Sequence, residues 1–226
     1  DYGNNLDDIS GIYKKDKKSK FNVSLKSSSE KEVTISSRAS IDALSTNYYL
    51  NYTIYNNGSV VIETKFDLDR GMPELPRYGF RMQLTGEFDN MKYFGRGPNE
   101  NYWDRKHSAY VGLYQQNVAD NFVPYIRPQE NGNRSDVRWA SFTNKNGLGL
   151  KISGTPTFDV VAQHFPFEDL DFPKRGKNRH TSDIVEKDLV DISIDYKQRG
   201  VGGVNSWGKR PHDQYRLFPE KYELKF

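Results

Sequence analysis

The sequence predicts an all-β fold, a large antiparallel β-sandwich, and three observations lead there. Aromatic residues make up 14 % of the chain, with 15 Tyr, 13 Phe and 3 Trp, and such rings favour half-buried pleated surfaces. Apolar side chains recur at every second position in run after run, with Gly, Asn, Pro and Asp between the runs. Sustained helical periodicity is missing. Mean hydropathy is −0.86 and 28 % of residues are charged, which alone would suit a disordered chain. Disordered chains, however, are poor in aromatic and β-branched residues, and this one is rich in both.

The elements follow in order. Residues 21–25 and 33–37 each alternate apolar and polar side chains and predict two strands. Over residues 48–68 the pattern predicts a β-hairpin: Leu50, Tyr52 and Ile54 alternate with polar partners, Asn56-Asn57-Gly58-Ser59 supplies the turn, and Val60, Ile62, Thr64, Phe66 and Leu68 resume the alternation. Further strands are predicted at 81–84, 139–143, 148–152 and 158–162. Later, Val190, Ile192, Ile194 and Tyr196 share one face while Asp191, Ser193, Asp195 and Lys197 share the other. A last strand runs through Tyr222, Leu224 and Phe226. Helical signals are confined to Thr181-Ser182-Asp183, which can cap a turn leading into Ile184, so at most one or two short helices are expected. No linker rich in Gly, Pro or Ser divides the chain and no repeat is evident, so residues 1–226 read as a single domain.

Net charge is +3, from 33 basic and 30 acidic side chains that largely alternate, a distribution that does not draw nucleic acid. The densest basic run, residues 14–20, contains Asp16 and reads as a solvated loop. No apolar stretch approaches the ~18 residues of a membrane-spanning helix. Zero cysteines exclude disulfides and thiolate chemistry and leave cytoplasm and periplasm equally open, while the Asn- and Lys-rich composition points to a bacterium.

Three segments depart from the strand pattern and are dense in Gly, Asn, Pro and Arg: 94–105, 124–138 and 200–213. Loops carry function more often than strands. In the first, Gly95 and Gly97 lack the third glycine of a dinucleotide loop, and Pro98 removes a donor where a phosphate needs one. This segment reads as a tight turn stitched by Arg96, Glu100, Asp104 and Arg105, with a sugar-contacting loop as the alternative. The second places Arg127, Gln129, Asn131 and Asn133 near Tyr125 and Trp139. Such groups bind sugar hydroxyls, and equally tie a long loop to a sheet. His107, His164, His180 and His212 lack metal-ligand spacing, Glu168, Asp169 and Asp171 read as an acidic solvated turn, and Ser206 has no histidine at triad spacing. No metal site and no catalytic residue is assigned to this chain.

All three of these segments carry a resemblance. Phe94-Gly95-Arg96-Gly97-Pro98-Asn99-Glu100-Asn101-Tyr102 and Pro124-Tyr125-Ile126-Arg127-Pro128-Gln129-Glu130-Asn131-Gly132, in that order and spacing, resemble the small-chain domain that ends the multi-domain β-galactosidases of glycoside hydrolase family two. Gly202-Gly203-Val204-Asn205-Ser206-Trp207 is similar to that family's Gly-Gly-Asp/Asn-Ser-Trp turn. The likeness spans residues 48–226 and is weakest over 14–32. It implies a supersandwich of the galactose-mutarotase-like kind, belonging to an enzyme that hydrolyses terminal β-galactosides. It also implies that the catalytic glutamates reside in a barrel outside this chain, that the chain alone is inactive, and that magnesium and sodium, used by many parent enzymes, bind in other domains. The implied partners are that barrel, the remaining domains and the galactoside substrate, with a homo-oligomer possible and neither nucleic acid nor membrane involved. Asp1-Tyr2-Gly3-Asn4 resembles the tail of a segment inside the family's domain, so the expectation is a domain truncated at its N-terminus with a sheet edge or apolar face left uncovered.

Trp207 and Asn205 are the residues expected to touch substrate. The run 200–206 is too glycine-rich and polar for a packed strand, so a turn presents the indole, whose flat face suits a pyranose while its N–H and Asn205 meet hydroxyls. By resemblance, the tryptophan of this turn packs on the sugar beyond the galactose, with Lys209, Arg210 and His212 framing the turn. Two alternatives stay open: a free-standing carbohydrate-binding or aldose-epimerase-like module, and a purely structural assembly domain.

Overall fold

The computed structural model describes residues 20–41, 44, 46–171, 180–202 and 208–226. Eleven strands carry the described fold: β1 Lys20–Ser28, β2 Glu32–Ile41, β3 Thr46–Tyr55, β4 Val60–Asp67, β5 Arg77–Thr85, β6 Asn90–Gly97, β7 Tyr110–Asn117, β8 Arg134–Thr143, β9 Gly149–Gln163, β10 Leu189–Gln198 and β11 Lys221–Lys225. They form two antiparallel sheets, ordered β1-β2-β3-β4-β11 and β5-β10-β9-β8-β6-β7, the make-up of the all-β sandwich that the alternating pattern predicts. Helical content among the described residues consists of 3-10 turns at Val118–Asn121, Phe167–Leu170, Thr181–Asp183 and Asp213–Tyr215, with Leu44 also in 3-10 conformation. By contact, the chain divides into two compact units, one of residues 1–78 with 196–226 and one of residues 79–195.

In the first unit the 48–68 hairpin forms as expected. Gly58 takes φ 85°, the left-handed region open to glycine, and Ser59 donates its N–H to Asn57 Oδ1 at 2.9 Å. Ladder register then decides which side chains share a face. Phe21, Ala39, Tyr48, Phe66 and Tyr222 fall in one cross-strand row, and Val23, Ser37, Leu50, Thr64 and Leu224 in the next. At the β4–β11 end this face is core: Phe66, Tyr222 and Leu224 are buried, Phe66 stacks on Tyr78, and the Thr64 and Tyr78 hydroxyls bond at 2.7 Å. At the β1 edge the same face is bare, with Phe21 66 %, Val23 67 % and Leu25 65 % exposed.

In the second unit, the predicted strands 148–152 and 158–162 are parts of one long strand, β9. Residues 94–97, expected to be irregular, are the end of β6, paired to β7 along Phe94↔Leu113 to Gly97↔Tyr110. Glycine at 95 serves packing rather than a turn, because a Cβ there would sit 2.7 Å from Val137 Cγ2. On β10 both faces are buried: Val190, Ile192 and Ile194 on the apolar side, Asp191, Ser193 and Asp195 on the polar side. The polar side is covered by partners from distant parts of the chain. Arg81 donates Nε to Asp191 Oδ1 at 2.7 Å and Nη1 to Glu168 Oε1 at 2.6 Å.

Candidate functional site

The two family-like segments of the second unit are bonded to each other. Glu100 is the knot: Oε1 accepts from Arg105 Nη2 at 2.5 Å and from the Tyr125 hydroxyl, and Oε2 accepts the Gly132 N–H at 2.8 Å. Gly132 stands at φ 77°, and a Cβ there would sit 2.6 Å from the Asn121 carbonyl oxygen, so a side chain would collide with backbone. Asn101, fully buried, donates Nδ2 to the Arg96 and Asn99 carbonyls and accepts the Ser135 N–H at 3.0 Å, while its backbone N–H bonds the Asn133 carbonyl at 2.8 Å. Asn131 Oδ1 takes the Val123 N–H at 3.1 Å and Gln163 Nε2 at 2.6 Å. Of the two readings open for these loops, the tie holds for Glu100, Asn101, Asn131 and Asn133, whose polar groups are engaged within the protein. Trp139 belongs to β8, with the Lys151 ammonium 4.8 Å above its ring.

Arg96 and Lys106 converge on Asp136 rather than on Glu100. Arg96 Nε reaches Asp136 Oδ2 at 2.5 Å and Lys106 Nζ bonds both oxygens at 2.9 and 2.8 Å. Burial pushes the Asp136 carboxyl up, but the two cations outweigh it and hold the group below the usual carboxylate range. Asp136 also adopts φ 53°, a left-handed conformation that aspartate tolerates better than most residues. The acidic stretch near 168 is paired: Glu168 with Arg81, and Asp169 with Lys187. Among the described residues no group of three or more His, Asp and Glu is arranged to hold a metal ion.

Retaining glycoside hydrolysis needs two carboxyls ~5–5.5 Å apart with the scissile bond between them. The second unit does hold a close carboxyl pair, Asp159 and Asp195, which face each other across β9 and β10. Their exposures are 6 % and 2 %, so a sugar cannot pass between them.

In the first unit, Trp207, Asn205 and Ser206 lie outside the described residues, but the ends of their segment do not. Gly200 donates its N–H to the Tyr215 carbonyl at 2.7 Å, which joins the two ends. The anchor beneath is Glu74, 4 % exposed, a residue that sequence reasoning missed. Its Oε2 accepts Arg216 Nε at 2.6 Å, and its Oε1 lies 3.5 Å from Arg199 Nε and 3.9 Å from Arg210 Nη1. Arg216 Nη1 also reaches Asp213 Oδ1 at 2.6 Å. Arg210, expected to frame a turn that lies outside the described residues, is thus a neighbour of the Glu74 carboxylate together with Arg199 and Arg216, which were not singled out. The local signal for Glu74 was slight: a carboxylate between Pro73 and Pro76, next to the buried Leu75. An open depression in this unit is lined by Leu44, Thr46, Asp67, Asp69, Arg70 and Met72 among others, and none of the residues singled out lines it.

Comparison with known proteins gives a consistent result. The chain matches the family described as "Beta galactosidase small chain" over residues 4–226. It is 38 % identical over 190 residues to a β-galactosidase of Priestia megaterium, covering 84 % of this chain and 18 % of that protein. A β-galactosidase of Streptococcus thermophilus is 30 % identical over 179 residues, covering 78 % of this chain and 17 % of that protein. One of Lactobacillus delbrueckii subsp. bulgaricus is 32 % identical over 180 residues, 79 % of this chain and 17 % of its own. The chain thus spans less than a fifth of the length of these relatives.

Proposed function

Since the chain belongs to the β-galactosidase small-chain family, matched over residues 4–226, we propose that it is the non-catalytic C-terminal domain of a β-galactosidase that hydrolyses terminal β-galactosides. In this reading the domain completes the active site of the parent enzyme. Trp207 packs on the sugar beyond the galactose and Asn205 meets its hydroxyls, while the hydrolysing glutamates, and any magnesium or sodium, belong to other domains. The observation that carries the reading is the share of length: the chain aligns with 17–18 % of whole β-galactosidases, leaving most of each relative to supply the catalytic parts. Two features of the chain support it. The Glu100, Asn101 and Asn131 side chains are bonded within the protein, and the Asp159–Asp195 pair is closed to sugar. The Gly200–Tyr215 bond and the Glu74 anchor, by contrast, hold the ends of the segment that carries Trp207. A family match running unbroken through both compact units supports their acting as one domain.

The test is an assay of the purified chain. An aryl β-galactoside should go unhydrolysed, and calorimetric titration with lactose should give no appreciable heat. Hydrolysis would contradict the non-catalytic role, and tight lactose binding by the isolated chain would favour a carbohydrate-binding module.

A further inference from the structure

We propose that Asn57 and Asn146 are sites of spontaneous deamidation, each converted to aspartate or isoaspartate at the tip of a hairpin, while Asn131, in the same Asn-Gly dipeptide, is kept intact by the fold. The chain contains three such dipeptides: Asn57-Gly58, Asn131-Gly132 and Asn146-Gly147. The reaction begins when the glycine backbone nitrogen attacks the asparagine side-chain carbonyl carbon. A C–N bond forms and the C–Nδ2 bond breaks, and the glycine N–H proton leaves with the side-chain nitrogen as ammonia. Water then opens the cyclic imide at either carbonyl, and the residue gains a carboxyl. Glycine favours the attack because it has no side chain to crowd its nitrogen.

The three glycines share a left-handed backbone, with φ 85° at Gly58, 77° at Gly132 and 79° at Gly147, so their own conformation does not separate them. Their surroundings do. Gly58 lies in the turn between β3 and β4, Gly147 in the turn between β8 and β9, and a Cβ added to either would meet nothing within 4 Å. Asn57 and Asn146 are both exposed. Each of these glycines donates its N–H inside its own turn, Gly58 to the Tyr55 carbonyl at 3.0 Å and Gly147 to the Asn144 carbonyl at 2.9 Å, and at an exposed tip water replaces such a bond at little cost. Asn57 Oδ1 accepts the Ser59 N–H at 2.9 Å, which polarises the carbonyl under attack. Asn146 is tied through its backbone, whose N–H goes to Asn144 Oδ1 at 3.0 Å, and its side chain makes no hydrogen bond among the described residues.

Asn131 is enclosed. It is 1 % exposed, and a Cβ on Gly132 would also stand 3.4 Å from Gln163 Nε2. Hydrogen bonds fix both reacting groups: Oδ1 accepts the Val123 N–H and Gln163 Nε2, Nδ2 donates to the Gln129 carbonyl, and the Gly132 N–H is held by Glu100 Oε2. Bringing nitrogen and carbonyl carbon together breaks these bonds in a site that water does not reach, which slows the reaction at least about tenfold relative to the two tips. Each conversion adds one negative charge, so the formal net charge of +3 falls by one for each tip that reacts.

The experiment is incubation of the whole chain in mildly alkaline buffer, which promotes attack by the glycine nitrogen, followed by proteolysis and peptide mass spectrometry. A parallel sample is held unfolded in urea. In the folded protein the peptides carrying Asn57 and Asn146 should gain the mass of an amide turned acid at least about tenfold faster than the peptide carrying Asn131. In urea all three should react at comparable rates, because only the fold distinguishes them. Asn131 reacting as fast as the other two in the folded protein would overturn the proposal. So would intact Asn57 and Asn146 after a period in which the urea sample has lost all three amides, and reaction at one tip alone would overturn the assignment of the other.

Discussion

Glu74 Oε2 accepts a hydrogen bond from Arg216 Nε at 2.6 Å, across 142 positions of sequence. The bond joins the proline-flanked stretch ahead of β5 to the stretch that follows residues 200–213. Arg199, its side chain 4 % exposed, shares the same carboxylate. Removing one member of a buried ion pair leaves the other charge uncompensated, which typically costs about 3–5 kcal/mol. Glu74→Gln keeps the shape and removes the charge. Chemical denaturation should show a loss of about 3 kcal/mol, and an unchanged midpoint would mean that the arginines find other partners.

Glu100→Ala removes the acceptor for Arg105, Tyr125 and the Gly132 N–H together. A buried donor left without its acceptor costs about 1–3 kcal/mol, so the variant should lose roughly 2–3 kcal/mol in thermal or chemical unfolding. Tyr125→Phe removes one of these bonds and should lose about 1 kcal/mol. A Glu100→Ala protein as stable as the wild type would show that the two loops are not held by this carboxylate.

The bare end of the five-stranded sheet has a consequence in solution. Phe21, Val23 and Leu25 form an exposed apolar row on the edge strand β1, and such edges pair with whatever surface covers them. The isolated chain should form dimers or larger species as its concentration rises in light scattering, and replacing all three residues with Ser should return it to monomers. A wild-type monomer across the concentration range would contradict this.

Much of the fold was legible because its signals are local. The 48–68 hairpin announces itself through alternation and an Asn-Asn-Gly-Ser turn, and the structure pairs it residue by residue. β6 was hidden because Gly95 and Gly97 break the alternation, and their reason, close approach of Val137 on β8 at Gly95 and of the Tyr93 hydroxyl and the Tyr114 ring on β7 at Gly97, is tertiary. The buried polar face of β10 was equally hidden, since Asp191 depends on Arg81 across 110 positions. The loops at 94–105 and 124–138 were legible as unusual, but composition could not separate sugar binding from mutual tying. Only the Glu100–Gly132 and Asn101–Ser135 bonds do that. Glu74 and Arg216 are separated too far for any pattern to link them.

The central claim, that this domain completes a galactosidase active site through Trp207, is tested most directly by acceptor kinetics. In a β-galactosidase polypeptide carrying this domain, Trp207→Ala should preserve the unfolding temperature and weaken lactose hydrolysis and glucose acceptance by about tenfold, roughly the effect of losing 1–2 kcal/mol of stacking. Binding of galactose itself should change little. Unaltered acceptor kinetics, or a large fall in thermal stability, would place the indole in a structural role and contradict the account.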